Sequence, residues 1–278
     1  MISYRKLAMR VLGHSPVSAV KTARRSTAKR TAALALTAAL VVGMTLPAFA
    51  DTWYIENGDI SISAGTNGNK VTQGSTTKEN DTDTVIKSNG SSTASSNTVT
   101  IDAGEGKTVN VTLDNVNINT SKTDDAAVSV TGSGNTNIEL NGNNTLTSGS
   151  GHAGLEHNKE TDAEGNETSG KLTITDENKD GGTLTATGGY GGAGIGGGDG
   201  KDGQVTITGG EITAKATGNY GAGIGGGSGG DGTVTISGGT ITEASGGYMA
   251  AGIGSGQGVV HYDDDTGEMI IDKKLSEM

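Results

Sequence analysis

After residue 50 the sequence contains no cysteine, arginine, proline or phenylalanine. The lack of cysteine excludes disulfides and thiolate metal sites as the means of holding this part of the chain together. The lack of arginine leaves 12 lysines against 31 acidic residues, a net charge of −19. Nucleic acids and anionic membranes bind basic surfaces, so this charge argues against both as partners. Cations and neutral, hydroxyl-rich polymers are compatible with it.

Aromatic residues are also scarce, at 3% of the chain, while glycine accounts for 49 of its 278 residues. This composition by itself is compatible with a disordered low-complexity protein. The periodic apolar pattern described below favours a folded chain instead.

The first 50 residues have the three parts of a secretory signal peptide. Their charged residues are all basic and lie before residue 31, and an uncharged Ala- and Leu-rich run follows at residues 31–46. Ala48 and Ala50 form the A-x-A pattern that signal peptidase cleaves. We therefore predict a signal-peptide helix, cleavage after Ala50, and a secreted protein, either free or associated with the cell surface. A membrane-spanning helix needs about 20 apolar residues, so we expect no membrane insertion after cleavage; a retained anchor is the alternative.

A glycine-rich hexapeptide repeats in the second half of the chain. AGIGGG occurs at residues 193–198 and 222–227, and a looser copy, AGIGSG, at residues 251–256. The first two copies are each followed by V-T-I, at residues 205–207 and 234–236. Similar alternating segments continue upstream, which gives units of about 28 to 36 residues. Such self-similarity is typical of solenoid proteins.

Each unit contains short alternating segments separated by glycine pairs. In the unit that starts at residue 204, the alternation places Val205, Ile207 and Ile212 on one face and Thr206 and Thr213 on the other. Coiled parallel strands of this kind bury their aliphatic faces and stack about 4.8 Å apart. We predict an all-β fold, a single-stranded right-handed parallel β-helix (β-solenoid).

The pattern divides the chain into four segments. Residues 1–50 form the signal peptide, and residues 51–106 form the N-terminal cap with the first irregular coils. The repeat β-solenoid covers residues 107–260, and a charged tail or cap follows at residues 261–278. A longer unit, residues 135–170, carries its extra residues at 156–169, where we expect a charged loop.

The sequence resembles the secreted carbohydrate-binding β-helix proteins of anaerobic bacteria, over roughly residues 53–258. The resemblance is carried by Val111–Ile118, Ala126–Val130, Leu140–Leu146 and the AGIGGG units. It implies a pectate-lyase-like right-handed β-helix that binds plant-type polysaccharide and calcium. These motifs are structural, and the resemblance assigns no binding residue in this chain.

Two acidic turns are candidate calcium sites. Residues 197–202 and 226–231 both fit G-G-x-G-x-D, the start of a calcium-binding nonapeptide, but lie 29 residues apart rather than nine. In a solenoid they would lie on adjacent coils, where Asp202 could sit above Asp231, with Asp199 nearby, and share a hard cation with backbone carbonyls. The alternative is a pair of solvated turns that tolerate aspartate.

Two other motifs have structural interpretations. Residues 176–181 match the opening of an EF-hand loop, but Thr187 stands where the bidentate glutamate belongs, which favours a tight turn. His152 and His157 bracket Glu156, and on an extended chain they face opposite sides, which argues against a shared metal.

Tyr190, Tyr220 and Tyr248 each lie shortly before the alanine of a glycine hexapeptide, 30 and 28 residues apart. On successive coils they would form a ladder of flat rings against which pyranose faces can pack. The alternative is structural, with the rings filling space left by glycine at a corner of the solenoid.

We therefore predict a non-catalytic carbohydrate-binding or adhesive β-helix whose partner is a polysaccharide or a cell-surface glycan. One alternative is a polysaccharide lyase or glycoside hydrolase, although the arginine base common in such lyases is absent. Another is a purely structural surface repeat. Outward threonines such as Thr173, Thr206 and Thr235 also resemble those of ice-binding solenoids.

Overall fold

A computed structural model describes residues 51–90, 92–217, 220–262 and 269–272, with the backbone alone from residue 259 onward. The predicted signal peptide, residues 1–50, lies outside these ranges. Helical structure in the described part is confined to one 3-10 turn, Ile55–Asn57. No helix among the described residues is long and apolar enough to cross a membrane.

Three sheets of stacked strands form the fold, with strands numbered along the chain. Sheet 1 has seven strands that pair in parallel in chain order. They are β1 (Thr52–Tyr54), β5 (Thr84–Lys87), β7 (Thr108–Asp114), β10 (Asn135–Asn141), β13 (Leu172–Thr175), β16 (Gly203–Ile207) and β19 (Gly232–Ile236).

Sheet 2 has five parallel strands, and sheet 3 has seven parallel strands plus an antiparallel pair at one edge. Sheet 2 consists of β8 (Asn117–Asn119), β11 (Asn143–Thr147), β14 (Thr183–Gly188), β17 (Glu211–Ala216) and β20 (Thr240–Ser245). The parallel strands of sheet 3 are β2 (Ile60–Ala64), β6 (Val99–Asp102), β9 (Val128–Thr131), β12 (Leu155–His157), β15 (Ile195–Gly196), β18 (Ile224–Gly225) and β21 (Ile253–Gly254), and the pair is β3 (Asn69–Gln73) and β4 (Thr76–Asp81).

The chain visits the sheets in the same order in every complete turn, for example β10, β11 and β12. Each strand pairs with the equivalent strand one turn earlier and one turn later. The fold is therefore a parallel β-solenoid of about seven turns, and the predicted all-β class is confirmed. Because each turn contacts only its neighbours, several turns must fold together to bury the interior.

The interior is a column of aliphatic side chains in register. Ile195 pairs with Ile224, and Ile224 pairs with Ile253, which confirms the predicted alignment of the hexapeptides. In sheet 1 the equivalent positions form one inward row: Val111, Ile138, Ile174, Ile207 and Ile236. The members of both rows are buried except the last ones, Ile253 and Ile236, so the hydrophobic stabilisation is spread along the solenoid up to its final turn.

The two ends of the solenoid differ in how they are covered. At the N-terminal end β3 and β4 extend sheet 3, and Trp53 Nε1 donates to the buried carboxylate of Asp81 at 3.0 Å. At the other end the side chain of Ile236 is 41% exposed, whereas Ile207, one turn earlier, is fully buried. A hairpin of β22 (Val259–Tyr262) and β23 (Met269–Asp272) follows the last turn.

The structure corrects the start of the predicted charged loop. Glu156 and His157 belong to strand β12 and are buried, so the loop runs from residue 158 to 171. Glu156 pairs with Gly196 of the next turn, which shows that it occupies a repeat position. Within the loop, hydrogen bonds from the side chain and then the backbone of Asn166 lower the pKa of Asp162.

Candidate functional site

The three predicted tyrosines form a column on successive turns. The ring centroids of Tyr190 and Tyr220 are 6.0 Å apart, and those of Tyr220 and Tyr248 are 6.2 Å apart. The rings are edge to face, at 90° and 76°, so the expectation of a ladder of parallel flat rings is wrong. Edge-to-face packing matches the positive ring edge to the negative ring face. Tyr190 and Tyr248 are 54% and 67% exposed, so the column presents aromatic surface to solvent.

The tyrosine column lies in the loops that connect sheet 2 to sheet 3. These loops bond to the loops that leave sheet 3: Ser228 N donates to Gly191 O at 2.7 Å, and Gln257 N donates to Tyr220 O at 2.6 Å. In each of the two-residue strands β15 and β18, both residues are buried. The column is therefore the edge of a closed, backbone-bonded surface rather than the wall of an open groove.

Glycine is required in the hexapeptides because two loops and the next turn meet there. Gly196 has φ +131°, and a Cβ atom on it would overlap the carbonyl oxygen of Gly225 in the next turn. The same overlap would arise between Gly225 and the carbonyl oxygen of Gly254. The repeated glycines therefore specify backbone geometry rather than a ligand.

A family model for the beta helix repeat matches residues 180–199, 205–228 and 234–257. The chain contains β-helix repeats. The three matched stretches include the three hexapeptides and the three tyrosines of the column, whereas Asp202 and Asp231 of the candidate calcium turns lie between the matched stretches. No curated protein and no solved structure matches the chain.

The acidic turns of the β-helix repeats stack as predicted, through a hydrogen bond. Asp202 Oδ1 accepts from the backbone N–H of Asp231 at 2.8 Å, and Asp231 Oδ1 accepts from Ser255 Oγ at 3.0 Å. Asp199 lies apart from this pair, with its carboxylate against Gly191. Among the described residues no three His, Cys, Asp or Glu side chains are grouped to hold a metal. The hydrogen bonds that the Asp202 and Asp231 carboxylates accept explain why aspartate recurs in these turns. Calcium binding at the turns stays a prediction.

The calcium prediction can be tested by thermal unfolding. If a cation bridges the two turns, adding calcium should raise the Tm of the protein, because a ligand that binds only the folded state stabilises it. Replacing Asp202 and Asp231 with alanine should remove this increase, whereas Asp180→Ala in a different turn should retain it. An equal Tm with calcium and with chelator in the wild-type protein would exclude the site.

The EF-hand-like segment is a tight turn, as predicted. Lys179 N donates to Asp176 O at 3.3 Å. A glutamate one turn earlier in the solenoid also bonds to this segment. The carboxylate of Glu139 accepts the backbone N–H groups of Glu177 and Asn178 at 3.0 and 3.2 Å. Glu139 therefore holds this turn against sheet 1.

His152 and His157 contact different groups of the structure. Glu156 Oε2 lies 2.8 Å from His152 Nδ1 and accepts the backbone N–H of Ala153 at 3.1 Å. The imidazole of His157 is buried, with its nitrogens 3.1 Å from Val130 O and 2.8 Å from Gly170 O. His157 thus connects the 158–171 loop to the solenoid.

Glu156 has a structural role that sequence reasoning missed. In the next turn the corresponding alanine N–H, that of Ala193, donates to the carbonyl oxygen of Gly197 at 3.0 Å. Glu156 supplies a carboxylate oxygen in place of that carbonyl. The sequence did contain a signal for this role. When the repeats are aligned, L-E-H at residues 155–157 corresponds to I-G-G at residues 195–197, so Glu156 stands where the next repeat has glycine.

Sequence reasoning also missed a cleft on the outer face of sheet 1. This sheet-1 cleft has a volume of about 350 Å³ and crosses strands β5, β7, β10 and β13. All but one of its lining residues have polar side chains: Thr82, Asp83, Thr84, Asn110, Val111, Thr112, Asn137, Glu139, Thr175, Glu177 and Asn178.

Proposed function

We propose that this protein is a secreted, non-catalytic β-helix protein that binds carbohydrate through its tyrosine column. The observation that carries the proposal is the exposure of Tyr190 and Tyr248, which lie on either side of Tyr220 on consecutive turns. Secretion is supported by the signal-peptide pattern of residues 1–50. The glycan partner is neutral, because the region after residue 50 has a strong negative charge.

The column suits a sugar because tyrosine combines an apolar ring with a polar hydroxyl. Ring faces pack against the C–H face of a pyranose, and the phenol oxygen donates to or accepts from sugar hydroxyls. The edge-to-face arrangement means that neighbouring rings offer different surfaces, so the rings are not equivalent contact points. The repeat of 6.0 to 6.2 Å follows the solenoid axis, and we infer that a glycan chain lies along that axis.

The test is retention of the full processed protein on immobilised neutral polysaccharides. Replacing all three tyrosines with alanine should weaken binding by about tenfold or more, because exposed aromatic anchors dominate such contacts. Tyr54→Ala is the matched control, since Tyr54 is 41% exposed but lies on β1 of sheet 1. Replacement by phenylalanine should retain most binding if ring contact dominates.

Three outcomes would contradict the proposal. Undiminished retention of the triple alanine variant would exclude the tyrosine column, and no retention of the wild-type protein on any polymer would favour a purely structural repeat. Release of soluble products from the polymer would show catalysis instead.

A further inference from the structure

We propose that the sheet-1 cleft is a second carbohydrate-binding site, separate from the tyrosine column, for a short neutral oligosaccharide. The inference takes its ligand class from the proposed function but does not depend on the tyrosines. A volume of about 350 Å³ lies at the lower end of the roughly 300–1,000 Å³ of ligand pockets. The cleft crosses four adjacent strands, a span of about 14 Å at the spacing of a β-sheet.

The floor of the cleft carries an amide pair with free hydrogen-bonding atoms. Asn110 and Asn137 are directly opposite on β7 and β10, and Asn137 Nδ2 donates to Asn110 Oδ1 at 2.9 Å. This bond fixes both amides side by side. Within the described ranges, the Nδ2 of Asn110 and the Oδ1 of Asn137 have no side-chain or backbone partner. The pair therefore offers one donor and one acceptor in a fixed arrangement.

One wall of the cleft is held in place by the solenoid itself. Both carboxylate oxygens of Glu139 accept backbone N–H groups of the 176–181 turn, at 3.0 and 3.2 Å. Glu139 is thus occupied in shaping the cleft, while Thr112, its neighbour in register on β7, retains its hydroxyl for a ligand. A wall fixed before binding reduces the ordering cost that a ligand must offset.

The polar groups of the cleft match vicinal sugar hydroxyls, each of which both donates and accepts. The lining contains no lysine, arginine or histidine, and Asp83 and Glu177 contribute negative charge. A uronic acid polymer would place carboxylates beside these acids without a cationic partner, which is unfavourable. The cleft therefore selects neutral pyranose chains over anionic ones.

The experiment is a calorimetric titration of the full processed protein with two tetrasaccharides, one of glucose and one of galacturonic acid. We expect the glucose tetramer to bind and the uronate tetramer not to bind. Replacing Asn110 and Asn137 together with alanine should weaken binding of the glucose tetramer by about tenfold, as two hydrogen-bonding partners are lost. A second variant with threonine at both positions keeps a strand-forming residue and should show the same loss.

The control for position is Thr206→Ala with Thr235→Ala. These threonines continue the same outward row as Asn137 through Thr173, but lie beyond the cleft. Unchanged tetramer binding in the asparagine variants would overturn the inference, and so would equal binding of the uronate tetramer or no binding of the glucose tetramer to the wild-type protein. The triple tyrosine variant should bind the tetramer normally. Undiminished polymer retention in that variant would contradict the proposed function and leave the cleft untouched, so the two failures are distinguishable.

Discussion

Replacing Gly196 with alanine is expected to lower the free energy of unfolding by about 3 to 5 kcal/mol, because two costs combine at this position. Gly196 has φ +131°, a conformation that L-residues rarely adopt, and the new Cβ would overlap a backbone carbonyl of the next turn. That carbonyl oxygen, on Gly225, accepts the N–H of Gly197 at 2.8 Å, so it cannot move without breaking a bond between turns. Denaturant unfolding followed by far-UV circular dichroism measures the difference in the free energy of unfolding between the variant and the wild-type protein.

Gly58 provides a matched control for the backbone conformation. Its φ of +132° is nearly the same as that of Gly196, but nothing lies within 4 Å of a Cβ built on it. Gly58→Ala should therefore cost only the conformational strain, about 1 to 3 kcal/mol. Equal costs for the two substitutions would show that the contact between turns is not what requires glycine in the hexapeptide.

The second large effect is expected from the interior row of sheet 1. Ile207→Ala should cost about 2 to 5 kcal/mol, the usual range for creating a cavity at a fully buried isoleucine. Ile236→Ala makes the same chemical change one turn later, where the side chain is 41% exposed, and should cost about 1 kcal/mol or less. The comparison is made by denaturant unfolding of both variants under the same conditions.

The contrast between Ile207 and Ile236 tests whether the interior side chain of the last turn is exposed to solvent. The two residues are directly paired, so strand type, sheet and side-chain direction are all matched. Similar losses of stability would mean that Ile236 is covered in solution, contrary to its exposure in this structure. A near-zero cost at Ile207 would contradict an interior whose stability depends on close packing.

The glycine hexapeptides and the candidate binding surfaces have different roles. The hexapeptides join neighbouring turns through backbone hydrogen bonds, whereas the proposed binding surfaces are the tyrosine column and the sheet-1 cleft. Fold by itself does not specify function, so the proposed carbohydrate binding depends on these surfaces.

The predicted column of tyrosines and the stacked acidic turns followed from spacing, because residues one repeat apart in a solenoid become neighbours. Spacing could not reveal how the groups meet. The edge-to-face rings and the hydrogen bond from Asp231 N–H to the Asp202 carboxylate depend on the lateral offset between turns. A flat ladder and a pair of adjacent carboxylates were the simplest expectations from register alone.

The sequence by itself determined the strands, the repeat and the aliphatic interior. Alternation is a local property, and a β-strand turns every second side chain to the same face. Only the tertiary structure decided that Glu156 replaces a backbone carbonyl, that Glu139 holds a turn of the next coil, and that four strands enclose a cleft. The Glu139 contact and the cleft join atoms that are a whole turn apart in sequence, and the bond between Glu156 and Ala153, three residues apart, depends on how the loop before β12 folds.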